Sequence, residues 1–238
     1  MKTISWSVIA TLICSMFLLF SCQKLKEKAL TNVQIDSLSM EVVYLSTQNI
    51  DCAPRFISEC IAKGANPNAV DTNGTPAIVH ASLRVDEPLR LELTKLLIEH
   101  GVDINAANRQ GETALKHFCM RSDTACLDFA LANNVDVTVV DSFGYTPLLL
   151  LTMQVSAYND YTGGKGSKKH RRLFYDTDLA LIVSEDYNLP YIKEFLKRGA
   201  DPHHKSKDGE SAYSIAKEYD LNLIREAIEQ HLQKDNKQ

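Results

Sequence analysis

The sequence predicts an all-α fold, a solenoid of about six stacked helix-turn-helix units joined by short finger hairpins, and three observations predict it. Four segments fall into one frame: GANPNAVDTNGTPAI from Gly64, GVDINAANRQGETAL from Gly101, NVDVTVVDSFGYTPL from Asn134 and GADPHHKSKDGESAY from Gly199. Their inner glycines, Gly74, Gly111, Gly144 and Gly209, lie 37, 33 and 65 residues apart, so the frame has a period near thirty-three and a last interval near two periods. Between the segments, apolar residues recur at helical spacing. Finally, 238 residues with 45% hydrophobic and 24% charged side chains have the balance of a folded chain rather than a disordered one.

The chain begins with a different signal. Residues 4–20, ISWSVIATLICSMFLLF, carry no charge and follow Lys2, the pattern of a secretory signal. An uncleaved helical anchor is the alternative, since the run is at the lower edge of what spans a bilayer. It ends in Leu19-Phe20-Ser21-Cys22, which resembles the lipobox of bacterial lipoproteins, with Phe20 departing from the small or branched residue usual there. The resemblance implies a signal peptide at 1–21 and a lipidated Cys22, the point of palmitate attachment. It also implies an envelope location, at the outer membrane facing the periplasm or at the inner membrane, and Gln23 leans toward the outer one. Residues 22–35 read as a polar, lysine-rich tether and residues 36–236 as the repeat domain.

Each unit of that domain is specified at its ends. SLSMEVVYLSTQNI and APRFISECIAK form the first helix pair, the second carrying Ile57, Cys60 and Ile61 on one face. Leu93, Leu96, Leu97 and Ile98 mark the next unit, and Leu127, Ala130 and Leu131 the third. In the fourth, Thr146 offers a capping hydroxyl and Pro147 stands at the first helical position, where its missing N–H costs nothing. Thr113, Thr177 and Ser211 occupy the same cap position. The 65-residue interval predicts a hidden unit, supplied by Asp176 to Gly199 with Ile192, Phe195 and Leu196. SAYSIAKEYD and LNLIREAIEQHL close the stack. After the second helices, Gly64, Gly101 and Gly199 suit a left-handed terminus, and Asn134 replaces glycine in the third unit.

These residues resemble the ankyrin repeat, with its Gly-x-Thr-Pro-Leu, short helix, turn, apolar helix and Gly-Ala-Asp; GYTPLLLL at Gly144 and YIKEFLKRGADP at Tyr191 are the nearest matches. One unit departs. Residues 159–176, NDYTGGKGSKKHRRLFYD, stand where a second helix belongs, so that unit has lost its helix or holds an inserted loop, and the period favours loss. Either way a basic segment is expected to protrude.

Chemistry is sparse. TGGKGSKK lacks the spacing of a phosphate loop. His203 and His204 are adjacent on a finger and point apart, so no shared metal is expected, and His80 and His117 read as structural. No catalytic residue, metal or cofactor is assigned. Cys119 and Cys126 end one helix and begin the next; a disulfide and two buried thiols are both open. Cys52 and Cys60 are too far apart along a helix to bond unless Cys52 precedes it.

The resemblance implies a non-enzymatic protein-binding module that uses finger tips and the concave face. Candidate contacts are Asn73, Arg109, Gln110, Phe143 and Tyr145 at the tips, and Lys168, Lys169, Arg171 and Arg172 on the basic segment. Phe143 is a binding anchor or a cover for its neighbour, and the basic run is a docking arm or a solvated loop. A net charge of −4 and a pI near 6.0 argue against nucleic acid. A monomer with one protein partner is expected. Ankyrin lipoproteins of this look include immunity proteins that block a toxin, and an envelope scaffold is the other reading.

Overall fold

The computed structural model describes residues 32–47, 52–84, 86–161, 164–167, 169–170 and 184–235. Cys22, Lys168, Arg171, Arg172 and Thr177 lie outside them. Among the described residues the fold is all helical: α1 (Asn32–Thr47), α2 (Ala53–Ala62), α3 (Ala77–Ser82), α4 (Glu87–Glu99), α5 (Ala114–Arg121), α6 (Thr124–Ala132), α7 (Pro147–Tyr161), α8 (Glu185–Lys197), α9 (Ala212–Glu218) and α10 (Asn222–Asp235). None of these helices is long and apolar enough to cross a membrane.

The odd-numbered helices α1, α3, α5, α7 and α9 pack in sequence to make one row, and α2, α4, α6, α8 and α10 lie behind them as the second. Such a helix pair cannot bury its own apolar stripe, so stability comes from the faces between units. The result is one continuous core running from Val42 and Leu45 through Ile78, Leu93, Phe118 and Leu149 to Phe195, Ile215 and Ile228.

The described helices form five pairs rather than six. Among the described residues the interval between Gly144 and Gly209 holds one unit, α7 with α8, because α9 packs directly on α7. The backbone says the same: Lys207 N donates to the Phe143 carbonyl at 2.9 Å, joining the finger before α7 to the finger before α9. α7 and α8 are thus the two helices of one unit, and the second helix is present, at Glu185–Lys197. α8 is tied to α6 as well, by Tyr191 Oη donating to Asp128 at 2.9 Å and Arg198 Nη2 to the Leu131 carbonyl at 3.1 Å.

The helix ends follow the residue types. Gly64, Gly101 and Gly199 have φ of 97°, 81° and 93°, and Asn134 takes 56°. Beyond them Ala65, Val102, Val135 and Ala200 each donate back five residues, to Cys60, Leu97, Ala130 and Phe195, the six-to-one bond of a Schellman end. Thr146 Oγ1 accepts from Leu149 N at 3.2 Å, Thr113 Oγ1 from Lys116 N at 3.4 Å, and Ser211 and Ser214 make a reciprocal capping box.

At the opposite end from the fingers, charge is buried. Arg90 and Asp123, 4% and 0% exposed, pair at 2.5 Å, and Asp123 also caps α6 through Cys126 N at 3.0 Å. Arg84 Nη1 caps the end of α1 at the Ser46 carbonyl, 3.0 Å away, and Arg121 Nη2 reaches the Leu83 carbonyl at 3.0 Å. Arg84 and Arg121 therefore each close the first helix of the unit before their own.

His117 is buried on α5 with Nε2 lacking a hydrogen-bond partner. Burial pulls its pKa down to about 4, against the opposing attraction of Glu112. A histidine depressed in the fold binds fewer protons than in the unfolded chain, so its contribution is complete above about pH 6.5 and is lost as pH falls toward 4. A shift of that size corresponds to roughly 3 kcal/mol. Urea midpoints of the wild type should fall across that window, and His117→Phe should flatten the slope; parallel slopes in both proteins would exclude His117 as the cause.

Candidate functional site

Among the described residues four finger hairpins project from the helix rows, and all share one backbone pattern. In each, the residue three before the inner glycine exchanges two backbone bonds with its own turn: Asp71 with Thr75 and Gly74, Asn108 with Glu112 and Gly111, Asp141 with Tyr145 and Gly144, Ser206 with Glu210 and Gly209. In the first three fingers the side chain adds two more. Asp71 Oδ1 accepts from Asn73 and Thr75, both at 2.8 Å; Asn108 Oδ1 from Gln110 at 2.9 Å and Glu112 at 3.0 Å; Asp141 Oδ1 from Phe143 at 2.8 Å and Tyr145 at 2.9 Å. These Asx bonds hold the tips rigid. They were not anticipated from the repeats, although an Asx residue at that fixed offset from three inner glycines is the signal that could have found them.

The last finger differs. Ser206 is too short to reach those amides, and its buried hydroxyl has no partner. Ser206→Asn restores the acceptor and should raise stability by about 1 kcal/mol, read as a higher thermal midpoint; an unchanged or lower midpoint would mean the tip is already satisfied.

The fingers are joined side by side. Arg109 lies across Gly74, its Cγ at 3.0 Å from where a Cβ would stand. Ser142 N donates to the Gln110 carbonyl at 2.7 Å. At Gly144, φ is 81° and a Cβ would come within 2.9 Å of the Ser206 backbone, so glycine is required twice over, by conformation and by proximity. Lys116 reaches across units too, pairing with Glu112 and Asp141 at 2.6 Å each. His80 Nε2 lies 3.0 Å from Asp71 Oδ2, so this histidine braces its own finger.

The row brings together Asn73, Arg109, Gln110, Phe143 and Tyr145. The first four are exposed. Phe143 is 53% exposed, its ring 6.5 Å from that of Tyr145 on the same finger. Tyr145 is half-buried, and its hydroxyl donates to Asp208 Oδ2 at 3.1 Å; burial and then this carboxylate raise its pKa. Tyr145 is therefore partly a structural brace.

Lys169, with its side chain 53% exposed, is held in local ion pairs. Its ammonium pairs with Asp208 at 3.0 Å and Glu210 at 3.1 Å, and these bonds raise its pKa against the desolvation that would lower it. Next to it His170 is fully buried, between Ser156 Oγ at 3.1 Å and Glu210 Oε1 at 3.3 Å. Lys165 pairs with Asp220 at 2.8 Å. Gly164 N donates to the Asn159 carbonyl, and Gly166 fits where a Cβ would collide with the backbone of Ser156 and Asp160. The described part of the basic segment is thus seated on α7 and the last unit, because α7 runs three residues past Tyr158 and offers it a backbone to bind.

Cys119 and Cys126 are buried, unbonded thiols in the structure. Burial pushes both pKa values up, and Asp123 adds to the rise at Cys126. Cys52 stands at the N-terminus of α2 and Cys60 on its buried face. Among the described residues no group of three or more His, Cys, Asp or Glu could hold a metal ion. His203 instead packs edge-on to Tyr213, with ring centroids 5.0 Å apart.

A family model described as ankyrin repeats (many copies) matches residues 90–131, from within α4 to α6. Among curated proteins, the chain is 25% identical over 186 residues to the putative ankyrin repeat protein YahD of Escherichia coli, covering 72% of this chain and 87% of that protein. It is 26% identical over 122 residues to human ankyrin repeat domain-containing protein 63, covering 51% of this chain and 30% of that one. Ankyrin repeats are protein–protein interaction modules and are typically non-catalytic. With its repeated fingers, Schellman ends and two helix rows, the described chain has the fold of an ankyrin-repeat helical solenoid.

Proposed function

We propose that this chain is a non-catalytic binding module for one protein partner, engaged by the finger-tip row. The observation that carries the reading is Phe143: a large aromatic, half exposed on a hairpin whose backbone is fixed by Asp141, is an anchor whose ordering cost is already met. Arg109 and Gln110 flank it on the preceding finger and supply polar contacts. The partner captured from envelope extract should bind Phe143→Ala about thirtyfold more weakly. Undiminished binding would move the site off the tips.

The module is held at the cell envelope by acyl chains on Cys22, with the Leu19 to Cys22 run as support. A single chain anchors marginally, so two or more are required. Cys22→Ser should abolish palmitate labelling and release the protein; continued attachment would favour an uncleaved helix. Within this reading the partner is a toxin acting in the envelope and the chain is its immunity protein. Titration should then silence the toxin one to one, whereas an enzyme whose rate is untouched would make the chain a scaffold.

A further inference from the structure

The second row of helices carries a feature that the finger tips do not use. Between α8 and α10 lies an open groove of about 590 Å³. Lys193 and Lys197 face it from one helix, a single turn apart, and Lys234 faces it from the other. Leu196 and Ala227, both buried, form an apolar floor, and Gln230 and His231 complete the polar wall. No carboxylate lines it, although the whole chain has a net charge of −4. Among the described residues Lys193 and Lys234 have no carboxylate partner, and Lys197 meets only Glu194, at 3.5 Å with the lysine 78% exposed. Such an exposed pair contributes little and yields readily to a competitor.

We infer that this groove is a second docking surface, for an acidic, amphipathic segment of a partner protein. The shape selects the class. The volume falls within the range of peptide- and ligand-sized clefts, roughly 300 to 1,000 Å³, well above that of a lone anion. The lining has no Phe, Tyr or Trp on which a nucleobase could stack, its one ring being the His231 imidazole, which disfavours single-stranded nucleic acid. Its apolar residues are on the floor rather than projecting, so nothing there inserts into a bilayer. A buried apolar floor between cationic rims matches a segment that presents a small apolar side chain flanked by carboxylates. Because the groove is on α8 and α10 and the anchor Phe143 is on a finger, one partner can be held at two places, or two partners at once.

The test uses the full chain and a short fluorescein-labelled peptide of leucines flanked by glutamates, with a twin in which glutamine replaces every glutamate. The glutamate peptide should bind, the glutamine twin should not, and added salt should weaken binding. Lys193→Glu, Lys197→Glu and Lys234→Glu combined should reduce affinity about tenfold or more, and the corresponding lysine-to-glutamine set, which removes charge without reversing it, should lie between. Peptide should protect 193–197 and 227–234 from hydrogen exchange, in wild type and in Phe143→Ala alike. Equal binding of the two peptides, indifference to the lysine changes, protection at the fingers instead, or preferential binding to phosphatidylglycerol vesicles would each overturn the assignment. Loss of partner binding in Phe143→Ala with the groove intact would leave the two surfaces separately judged.

Discussion

Asp123→Ala should destabilise the protein by about 4 kcal/mol, the cost of removing one member of a buried ion pair. Asp123 is 0% exposed and Arg90 is 4% exposed, so the guanidinium would stay dry with its charge uncompensated. The same change removes the cap on Cys126 N, which alone costs about 1 kcal/mol. A double-mutant cycle separates the two effects. Arg90→Met by itself should also destabilise, leaving Asp123 charged and buried, but the Asp123→Ala, Arg90→Met double variant should be much more stable than the sum of the singles predicts. Strict additivity in urea melts would mean that the pair contributes nothing as a pair.

Phe195→Ala should cost a similar amount, about 4 kcal/mol, through lost burial and the cavity left behind. Phe195 is fully buried on α8, the helix that rejoins α7 across the insertion and supports α10. In a stack where each unit contacts only its neighbours, damage of this size need not spread evenly. The amides of α8, α9 and α10 should lose hydrogen-exchange protection at lower urea than those of α3 to α6. A single transition with uniform loss would show that the five pairs unfold as one cooperative block.

How much of this was legible varies residue by residue. The helix ends were, since Gly64, Gly101, Gly199 and Asn134 adopt the left-handed conformation for which their residue types are suited. So was the core face of the second helices, where Ile57, Leu93, Leu97, Leu127, Ile192 and Phe195 are buried at helical spacing. The number of units was not, because a spacing of 65 residues reads as two periods whether it holds an extra unit or an insertion within one. The packing of α9 on α7 and the bond of Lys207 to Phe143 distinguish them. The polar column at the turns was hidden for another reason: arginine and aspartate are expected at the surface, and nothing in a hydrophobic pattern marks Arg84, Arg90 or Asp123 as interior. At the site, the tip position of Phe143 was legible but left it open between an anchor and a cover for its neighbour, and the local engagement of Lys169 required knowing that Asp208 and Glu210 stand beside it.

The insertion between α7 and α8 also sets an order of assembly. The helices of the other pairs are separated by two to five residues, but 23 residues separate Tyr161 from Glu185. Closing that longer connection costs roughly 1.5 kcal/mol more than closing one of four residues. The early nucleus should therefore form among α3 to α6, whose contacts are near in sequence, and α8 should dock late. On a ribosome the chain would present α7, with its unbroken buried stretch from Thr146 to Ala157, before its covering helix has been made. That interval is when this protein is most exposed to aggregation, and a chaperone that binds extended apolar segments has its clearest target there.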